Sequence, residues 1–269
     1  MIQQKQYFNN LEEFIKSELQ SHLVLEIDLF AKQIDDEVAT CLGSTIAKCT
    51  NLLNLKLDLY ANYISEIGAL GLGSGLGQCT NLSNLNLSLN RNSIGYQGAL
   101  SLGSALSKCL NLSNFELNLL YNQIGQDGAQ GLGSALANFN NLSNLNLCLG
   151  FNQIGDEGLS SLGSSLVNCT KLSNLTLVLM ANYIGNEGVL GLGSSLVKCA
   201  NLQNLNLDLS KNEIDVEGAS NLGSSLAKCT NLLNLMLDLS FNEINESEEL
   251  KIKSKCLKSK ILVVFQNSQ

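Results

Sequence analysis

Hydrophobic and polar residues alternate in short stretches that recur at a step of thirty residues along almost the whole chain. Between Leu85 and Leu89, leucine occupies every second position, and Asn86 and Ser88 fill the positions between. A period of two predicts a β-strand that buries one of its faces. Over residues 99–109, apolar residues follow at the three- and four-residue spacing of a helix face. Each unit is therefore predicted to be a strand, a turn and a helix, with the strands stacked as a parallel sheet.

Self-similarity at a fixed period predicts a solenoid, in which each unit packs mainly against its neighbours. One asparagine column follows the strands, at Asn62, Asn92, Asn122, Asn152, Asn182, Asn212 and Asn242. The chain turns there, and an amide side chain can pair with backbone groups that would otherwise be stranded in the interior. We therefore expect this column to be structural. A second column begins the strands, at Asn54, Asn84, Asn114, Asn144, Asn174, Asn204 and Asn234. We expect it to form a further exposed or edge ladder, although the pattern gives no firm physical account of it.

Two further columns lie in the predicted helices. The glycines are Gly43, Gly73, Gly103, Gly133, Gly163, Gly193 and Gly223. Glycine inside a helix costs about 1 kcal/mol against alanine, so its recurrence indicates a close approach of neighbouring elements. The cysteines are Cys49, Cys79, Cys109, Cys169, Cys199 and Cys229, with Phe139 in the remaining position. This substitution favours buried packing, because a buried thiol behaves as a small apolar group.

The pattern L-x-x-L-x-L-x-L-x-x-N-x-I over residues 82–94 resembles a leucine-rich repeat, L-x-x-L-x-L-x-x-N-x-L, with two residues added before the asparagine. The following helix resembles the ribonuclease-inhibitor-like subclass. The resemblance covers residues 23–245, as eight thirty-residue units. It implies a right-handed α/β solenoid shaped as a horseshoe, with a parallel sheet on the concave side and helices on the convex side.

Both ends of such a solenoid need caps, because the terminal cores would otherwise face water. Residues 1–22 are predicted to form an N-terminal cap built on an amphipathic helix over 10–20, begun by Asn10. Residues 246–269 are predicted to form a C-terminal cap of one helix and a last strand at 261–265. With eight strands in the repeats, the sequence predicts nine strands in all.

The net charge of the chain is −8. An acidic solenoid is a poor nucleic-acid binder, because phosphate contacts need clustered Lys and Arg. It suits a protein partner with a basic surface, although acidity also serves solubility alone. The sequence shows neither a signal peptide nor a run of eighteen apolar residues, which predicts no membrane span and a cytoplasmic or nuclear protein.

Several residues could suggest chemistry, and none of them predicts an enzyme, a cofactor or a metal site. The glycines of residues 71–75 imitate a phosphate loop, but they belong to the helical glycine column. His22 is the only histidine and is expected at the surface of the cap. The cysteine column lacks the short spacings of zinc sites. Cys148 falls on an outward strand position and is expected to be the most reactive thiol.

The outward strand positions and the residues just after each strand vary from unit to unit. One interpretation is that nothing constrains exposed positions. The other is that they form a recognition surface, since aromatic residues flanked by acids suit protein hot spots. The candidate partner-binding residues are Glu26, Asp28, Phe30, Lys56, Asp58, Tyr60, Arg91, Glu116, Asn118, Leu120, Tyr121, Phe151, Met180, Asp208, Asp238 and Phe241.

The predicted function is that of a non-catalytic scaffold, which captures a protein partner on the concave sheet. Two alternatives stay open. The resemblance extends to the leucine-rich-repeat activators of the Ran GTPase, which implies a possible regulator of a small GTPase. The chain could also be a structural element of a larger assembly and use its helical side. The sequence predicts no oligomeric state.

Overall fold

The structure is a computed structural model that describes residues 5–257 and 262–265. Its strands are β1 (Lys5–Phe8), β2 (Val24–Asp28), β3 (Asn54–Asp58), β4 (Asn84–Ser88), β5 (Asn114–Asn118), β6 (Asn144–Cys148), β7 (Asn174–Val178), β8 (Asn204–Asp208), β9 (Asn234–Asp238) and β10 (Leu262–Phe265). Its α-helices are α1 (Leu11–Ile15), α2 (Asp36–Ile46), α3 (Glu66–Leu76), α4 (Gly95–Leu106), α5 (Gly125–Leu136), α6 (Gly155–Leu166), α7 (Asn186–Leu196), α8 (Val216–Leu226) and α9 (Glu246–Leu257).

The strands form one parallel sheet in chain order. From β2 to β9 the register pairs residues thirty positions apart, so that Leu85 lies between Leu55 and Phe115. Equivalent residues of successive units therefore stand side by side and form continuous columns. Parallel strands joined by helices cross over with a right hand. The chain thus has the α/β leucine-rich-repeat solenoid fold that the repeat predicts.

The core lies between the sheet and the helices. Leu85 and Leu87 of β4, and Leu89 just after it, are buried in the same core cluster as Leu102 and Leu106 of α4. The cysteine column is buried as expected, apart from a half-buried Cys199. Where phenylalanine replaces cysteine, Phe139 packs edge-on against Phe115 at 5.7 Å between ring centres. Phe115 itself replaces a strand leucine, so the two large rings lie in one local cluster.

The helical glycines let neighbouring helices approach each other closely. A Cβ atom on Gly103 of α4 would lie 2.6 Å from the carbonyl oxygen of Gly131 and 3.3 Å from the Cα of Leu132, both in α5. On Gly43 it would lie 2.5 Å from the carbonyl oxygen of Gly71. Backbone atoms cannot move aside as a flexible side chain can. The expected reason for the glycine column is confirmed at these positions.

The buried asparagines pair with the backbone of two units at once. The Nδ2 atom of Asn152 donates to the carbonyls of Leu119 at 2.8 Å and Leu149 at 2.9 Å. Its Oδ1 accepts the backbone N–H of Asn122 at 2.8 Å and of Ile124 at 3.3 Å. The expected structural role is confirmed, because this amide satisfies backbone groups that have no access to water.

The two faces of the solenoid have different spacings. Paired strands lie about 4.8 Å apart, whereas packed helices need about 8–10 Å. Consecutive helices from α2 to α8 pack against one another, as consecutive strands pair. Because each step along the helices is longer than each step along the strands, the stack curves with the sheet on its inner side. The helices take the convex side.

The N-terminal end differs from its prediction. The sheet has ten strands where nine were expected, because β1 pairs in parallel with β2. The predicted helix over 10–20 is shorter: it ends at Ile15, and a 3₁₀ turn follows at Leu19–Ser21. Asn10 caps the helix as expected, by accepting the N–H groups of Glu12 and Glu13.

The expectation that His22 lies at the surface is wrong. Its ring is 5% exposed and packs against Phe8 and Phe14, with Nε2 lying 2.8 Å from the Oγ of Ser17. Burial lowers the pKa of His22, which favours the neutral ring inside this aromatic cluster. This cluster of Phe8, Phe14 and His22 lies at the N-terminal end of the core, beside β1.

At the C-terminal end, α9 and β10 continue the solenoid, and β10 pairs in parallel with β9. Ile252 of α9 is buried in the core. A Cβ atom on Gly223 would lie 2.9 Å from the Cγ2 atom of Ile252. Residues 258–261 and 266–269 of the predicted cap lie outside the described residues, as do residues 1–4 of the N-terminal one.

Replacing Gly103 by alanine should destabilise the protein, although alanine is the better helix former. Overpacking against α5 costs about 1–3 kcal/mol, which outweighs the gain of about 1 kcal/mol in helix propensity. Urea denaturation followed by circular dichroism measures the difference. The control is Ser104→Ala, at the exposed next position, which should leave stability unchanged or raise it. A Gly103→Ala protein more stable than the wild type would contradict the close-approach explanation.

Candidate protein-binding surface

The candidate residues lie on the concave face and along the edge where the strands end. The outward side chains of β3 to β8 are mostly half-buried by their neighbours in the sheet. Phe30, Tyr121 and Phe241 are 49%, 43% and 63% exposed. The structure brings the sixteen predicted residues onto one surface, spread along two halves with different chemistry.

The first half is the line along which the strands begin. There the second asparagine column forms a ladder, in which each Nδ2 atom donates to the Oδ1 atom of the preceding unit. Asn174 donates to Asn144, and Asn204 donates to Asn174, both at 2.5 Å. Asn84, Asn114 and Asn144 also donate to the hydroxyl oxygen of the serine before them. The expected ladder is confirmed, and these bonds give its physical reason, because they tie the strand starts together.

The outward side chains beside this ladder pair mainly with one another. Glu26 receives ion pairs from Lys5 and Lys56, the latter at 2.8 Å. The Lys5 hydrogen bond and then the Lys56 one hold the pKa of Glu26 below its ordinary value. Asn86 donates to Glu116 at 2.6 Å. These groups line a shallow groove of about 570 Å³, whose charged members already have partners within the chain.

The second half is the line along which the strands end. Each acid of the next outward column accepts the backbone N–H two residues on. Asp58 accepts from Tyr60 at 2.9 Å, and Asp208 accepts from Ser210 at 3.0 Å. Asp28 and Asp238 make the same turn, and Asn118 replaces the acid in β5. These residues shape the turn, and the aspartates bring charge to the two ends of the surface.

The residue after each of these turns has a left-handed backbone. In this column φ lies between 49° and 58°, at Ala31, Ala61, Arg91, Tyr121, Phe151, Ala181, Lys211 and Phe241. Their N–H groups donate to the carbonyl of the next unit; Arg91, for instance, donates to Leu120 at 2.8 Å. The fold therefore imposes this conformation on every unit. It does not require the large side chains that five of the eight units carry.

Large side chains on this edge stack along the solenoid. Tyr121 and Phe151 lie nearly parallel, with ring centres 4.2 Å apart and an interplanar angle of 12°. The guanidinium of Arg91 lies over the Tyr121 ring at 5.2 Å. Phe30 and Tyr60 stack at 5.0 Å, and the Lys211 ammonium lies 5.5 Å from the centre of the Phe241 ring. Stacking of this kind fixes the shape of the surface before any partner arrives.

The middle of this edge is apolar. Leu120 and Met180 lean over Gly150, where a Cβ atom would lie 2.7 Å from Leu120 Cδ2 and 2.8 Å from Met180 Cγ. The two side chains thus close the space between them, beside the Tyr121 and Phe151 stack. We call Leu120, Tyr121, Phe151 and Met180 the central patch. Sequence reasoning named all four, but it missed Gly150, which lets them meet.

Pairs of aspartates lie on both sides of the central patch. Asp28 and Asp58 lie side by side on β2 and β3, and Asp208 and Asp238 lie side by side on β8 and β9. The corresponding positions of β4 to β7 are uncharged: Ser88, Asn118, Cys148 and Val178. The surface therefore has acidic ends and an apolar middle.

The expectation that Cys148 is the most reactive thiol is wrong. Its side chain points outward but is half-buried. Burial, with Glu116 and Asp208 nearby, raises the pKa of Cys148 to about 11. Cys41 on α2 is the exposed thiol among the cysteines whose side chains the structure describes. The sequence did not reveal this difference, because alternation shows that Cys148 points outward but not how far its neighbours in the sheet cover it.

A match to a family model agrees with the repeat fold. A family model described as Leucine Rich repeat matches residues 141–163 and 201–223. Among solved structures the chain is similar to leiomodin-1 actin-binding site 2, at 14% identity and a TM-score of 0.43, over 61% of this chain and 88% of that one. No curated protein matches the sequence. The matched stretches each hold a strand and most of the following helix, and they support a leucine-rich-repeat protein.

None of the helices in the described part of the chain combines the length and apolar character needed to cross a bilayer. The same part of the chain holds no group of three or more His, Cys, Asp or Glu residues placed to bind a metal ion.

Cys41 should react with iodoacetamide at least tenfold faster than Cys148 in the native protein. The raised pKa of Cys148, from 9.0 to about 11, reduces its thiolate fraction about 100-fold. Mass spectrometry of tryptic peptides after timed labelling reports each thiol separately. In denaturant the two rates should converge. Equal native rates would show that Cys148 is open to solvent.

Proposed function

We propose that this chain is a non-catalytic scaffold that captures a protein partner on its concave sheet, with the central patch as the main contact. The observation that carries this proposal is the use of large side chains at left-handed backbone positions. Tyr121 and Phe151 have φ of 57° and 58°; Tyr121 is 43% exposed and Phe151 is half-buried.

A left-handed backbone disfavours residues that carry a Cβ atom, by roughly 1–2 kcal/mol per residue. Glycine or asparagine relieves this cost, yet neither occupies any of the eight equivalent positions. Ala31, Ala61 and Ala181 show that the turn forms without a large side chain. The fold imposes the left-handed conformation itself, so what it leaves unexplained is the choice of large side chains on this surface. Aromatic residues at the centre of a rigid surface are the usual hot spots of protein interfaces.

The arrangement of charge indicates the kind of partner. Asp58 on β3 and Asp208 on β8 are five strands apart, which is a distance of roughly 24 Å at the spacing of paired strands. That distance matches a helix of about 16 residues. A partner segment with apolar residues in its middle and basic residues at both ends would complement this surface. Glu26, Lys56 and Glu116 already pair within the chain, so we assign them a smaller part.

The proposal also covers the repeat subclass, the kind of partner and the location of the protein. We propose that the repeats belong to the ribonuclease-inhibitor-like subclass, since a full helix follows each strand, and that residues 23–245 form its eight units. The acidic balance supports a protein partner with a basic surface, rather than nucleic acid. A cytoplasmic or nuclear location is part of the same proposal, since buried thiols suit a reducing compartment.

The two alternative functions predict different observations. A regulator of a small GTPase would accelerate the hydrolysis of bound GTP, which a panel of GTP-loaded small GTPases can reveal. A structural element of an assembly would make its crosslinks through the helices. The most exposed apolar residues there include Ile67 at 63% and Leu70 at 53%. Neither alternative has a distinguishing feature on the concave surface.

The double variant Tyr121→Asn/Phe151→Asn should lose the partner and keep the fold. Asparagine tolerates the left-handed backbone, so the change removes the aromatic surface without adding strain. A photoreactive benzoylphenylalanine placed at Met180 should crosslink a defined protein in the native host, and the double variant should reduce that yield at least tenfold, as expected for two hot spots. Circular dichroism and the thermal midpoint should stay close to those of the wild type.

Two controls make this experiment specific. Gln123→Asn/Gln153→Asn changes exposed neighbours that also have positive φ, and it should leave the crosslink intact. The same photoreactive residue at Leu70 reports on the convex side. Crosslinks that come from Leu70 and not from Met180, or that survive the loss of both rings, would reject the concave site.

A further inference from the structure

Arg91 is the only arginine of the chain. It is exposed, and it stands at a left-handed position with φ of 53°. Its guanidinium lies over the Tyr121 ring at the border of the central patch. An arginine stacked in this way keeps its N–H donors available at the edge of the guanidinium plane. The stack therefore presents a hydrogen-bonding fork in a fixed orientation.

No carboxylate of the described residues is paired with this fork. The ion pairs within that part of the chain join Lys5 and Lys56 to Glu26, and Lys16 to Glu12. In the outward column just before it, Arg91 has neutral Ser88 in its own unit, neutral Asn118 in the next, and Asp58 in the preceding one. Several lysines of the described residues form no ion pair either. What sets Arg91 apart is a guanidinium held over the Tyr121 ring.

The other cation of this column provides a comparison. Lys211 also lies over an aromatic ring, that of Phe241. Its own unit carries Asp208, and the next unit carries Asp238. Lys211 therefore has an aspartate in its own strand and another in the following one, whereas the one aspartate beside the Arg91 unit in this column is Asp58 of the preceding strand. The two ends of the central patch thus differ in charge.

We infer that Arg91 anchors a side-chain carboxylate, from an Asp or Glu of the protein partner, that directly neighbours an apolar or aromatic residue seated on the central patch. The inference rests on the proposed function. Arginine and carboxylate form two parallel hydrogen bonds in the favoured geometry. The Tyr121 ring below the guanidinium holds that geometry in place, and Leu120 and Met180 receive the apolar neighbour. Arg91 thereby sets both the specificity and the register of the bound segment.

Selection from a random peptide library tests this pairing. The probes are twelve-residue peptides displayed with blocked termini, so that a terminal carboxylate cannot substitute for a side chain. The wild type should enrich Asp or Glu next to Phe, Tyr, Trp, Leu or Met. Arg91→Gln should bind the best acidic peptide at least tenfold more weakly, and that loss should shrink as salt is raised. Arg91→Lys should retain part of the preference, as a point charge without the fork.

Charge reversal provides the decisive measurement. Arg91→Glu should select Lys or Arg at the position where the wild type selects an acid, while the apolar preference stays unchanged. Lys108→Gln removes a different exposed cation and should alter nothing. Thermal denaturation of each variant excludes unfolding as the cause, since a merely structural arginine would not invert a charge preference.

The outcomes separate the two proposals. Peptides that depend on Tyr121 and Phe151 but show no acid preference, or the same preference with Arg91→Glu, would overturn the role of Arg91 and leave the concave site standing. A library from which nothing binds through Tyr121 and Phe151 would remove the concave site, and this inference with it.

Discussion

One constraint governs this structure: the backbone groups at the end of each strand must find partners where no water reaches them. The buried asparagine column satisfies them. Asn152, for example, bonds carbonyls of its own unit and of the unit before it, and it accepts two N–H groups from that earlier unit. Each amide therefore fixes the turn of its neighbour as well as its own. Leaving several such groups unpaired would cost about 1–3 kcal/mol each.

The geometry of the candidate surface follows from that constraint. Once the turn is fixed, the N–H of the residue after it must reach the carbonyl of the next unit, as Phe151 reaches Met180 at 2.9 Å. This requirement holds the residue in a left-handed conformation. A row of side chains is thus projected along one edge of the sheet at the spacing of paired strands, about 4.8 Å. Rings at that spacing can stack, so the same interaction that builds the core prepares the surface.

Much of this fold can be predicted from the sequence because a solenoid repeats one local problem. The alternation around Leu87 and the spacing around Leu102 each report a buried face, and thirty-residue periodicity places equivalent faces side by side. The sixteen candidate residues were identified by the same logic, as positions that vary while the core does not. Their common location is observed, and their role as a binding site remains a prediction.

What the sequence missed depends on contacts between units or at the ends. The strand β1 has no repeat to mark it, and His22 is buried by an aromatic cluster that forms only when β1 adds to the sheet. The ladder of Asn174 and its equivalents was expected, but its hydrogen bonds run between units, so that a single unit showed no physical reason for it. Left-handed backbone at Tyr121 is equally invisible, because the residue type argues against it. Cys148 illustrates the same limit, since an outward position need not be an exposed one.

Net charge and local charge lead to different conclusions about the partner. The total of −8 describes solubility and a general attraction to basic surfaces. Along the strand-end edge, however, the order is an acidic pair, Arg91, the central patch, and then a second acidic pair with Lys211 beside it. This order is not symmetric about its centre. If Arg91 binds a carboxylate as proposed, a segment bound in reverse would place that carboxylate near Asp208, and like charges would repel. We therefore expect the surface to favour one direction of a bound chain, which an acidic face of uniform charge could not do.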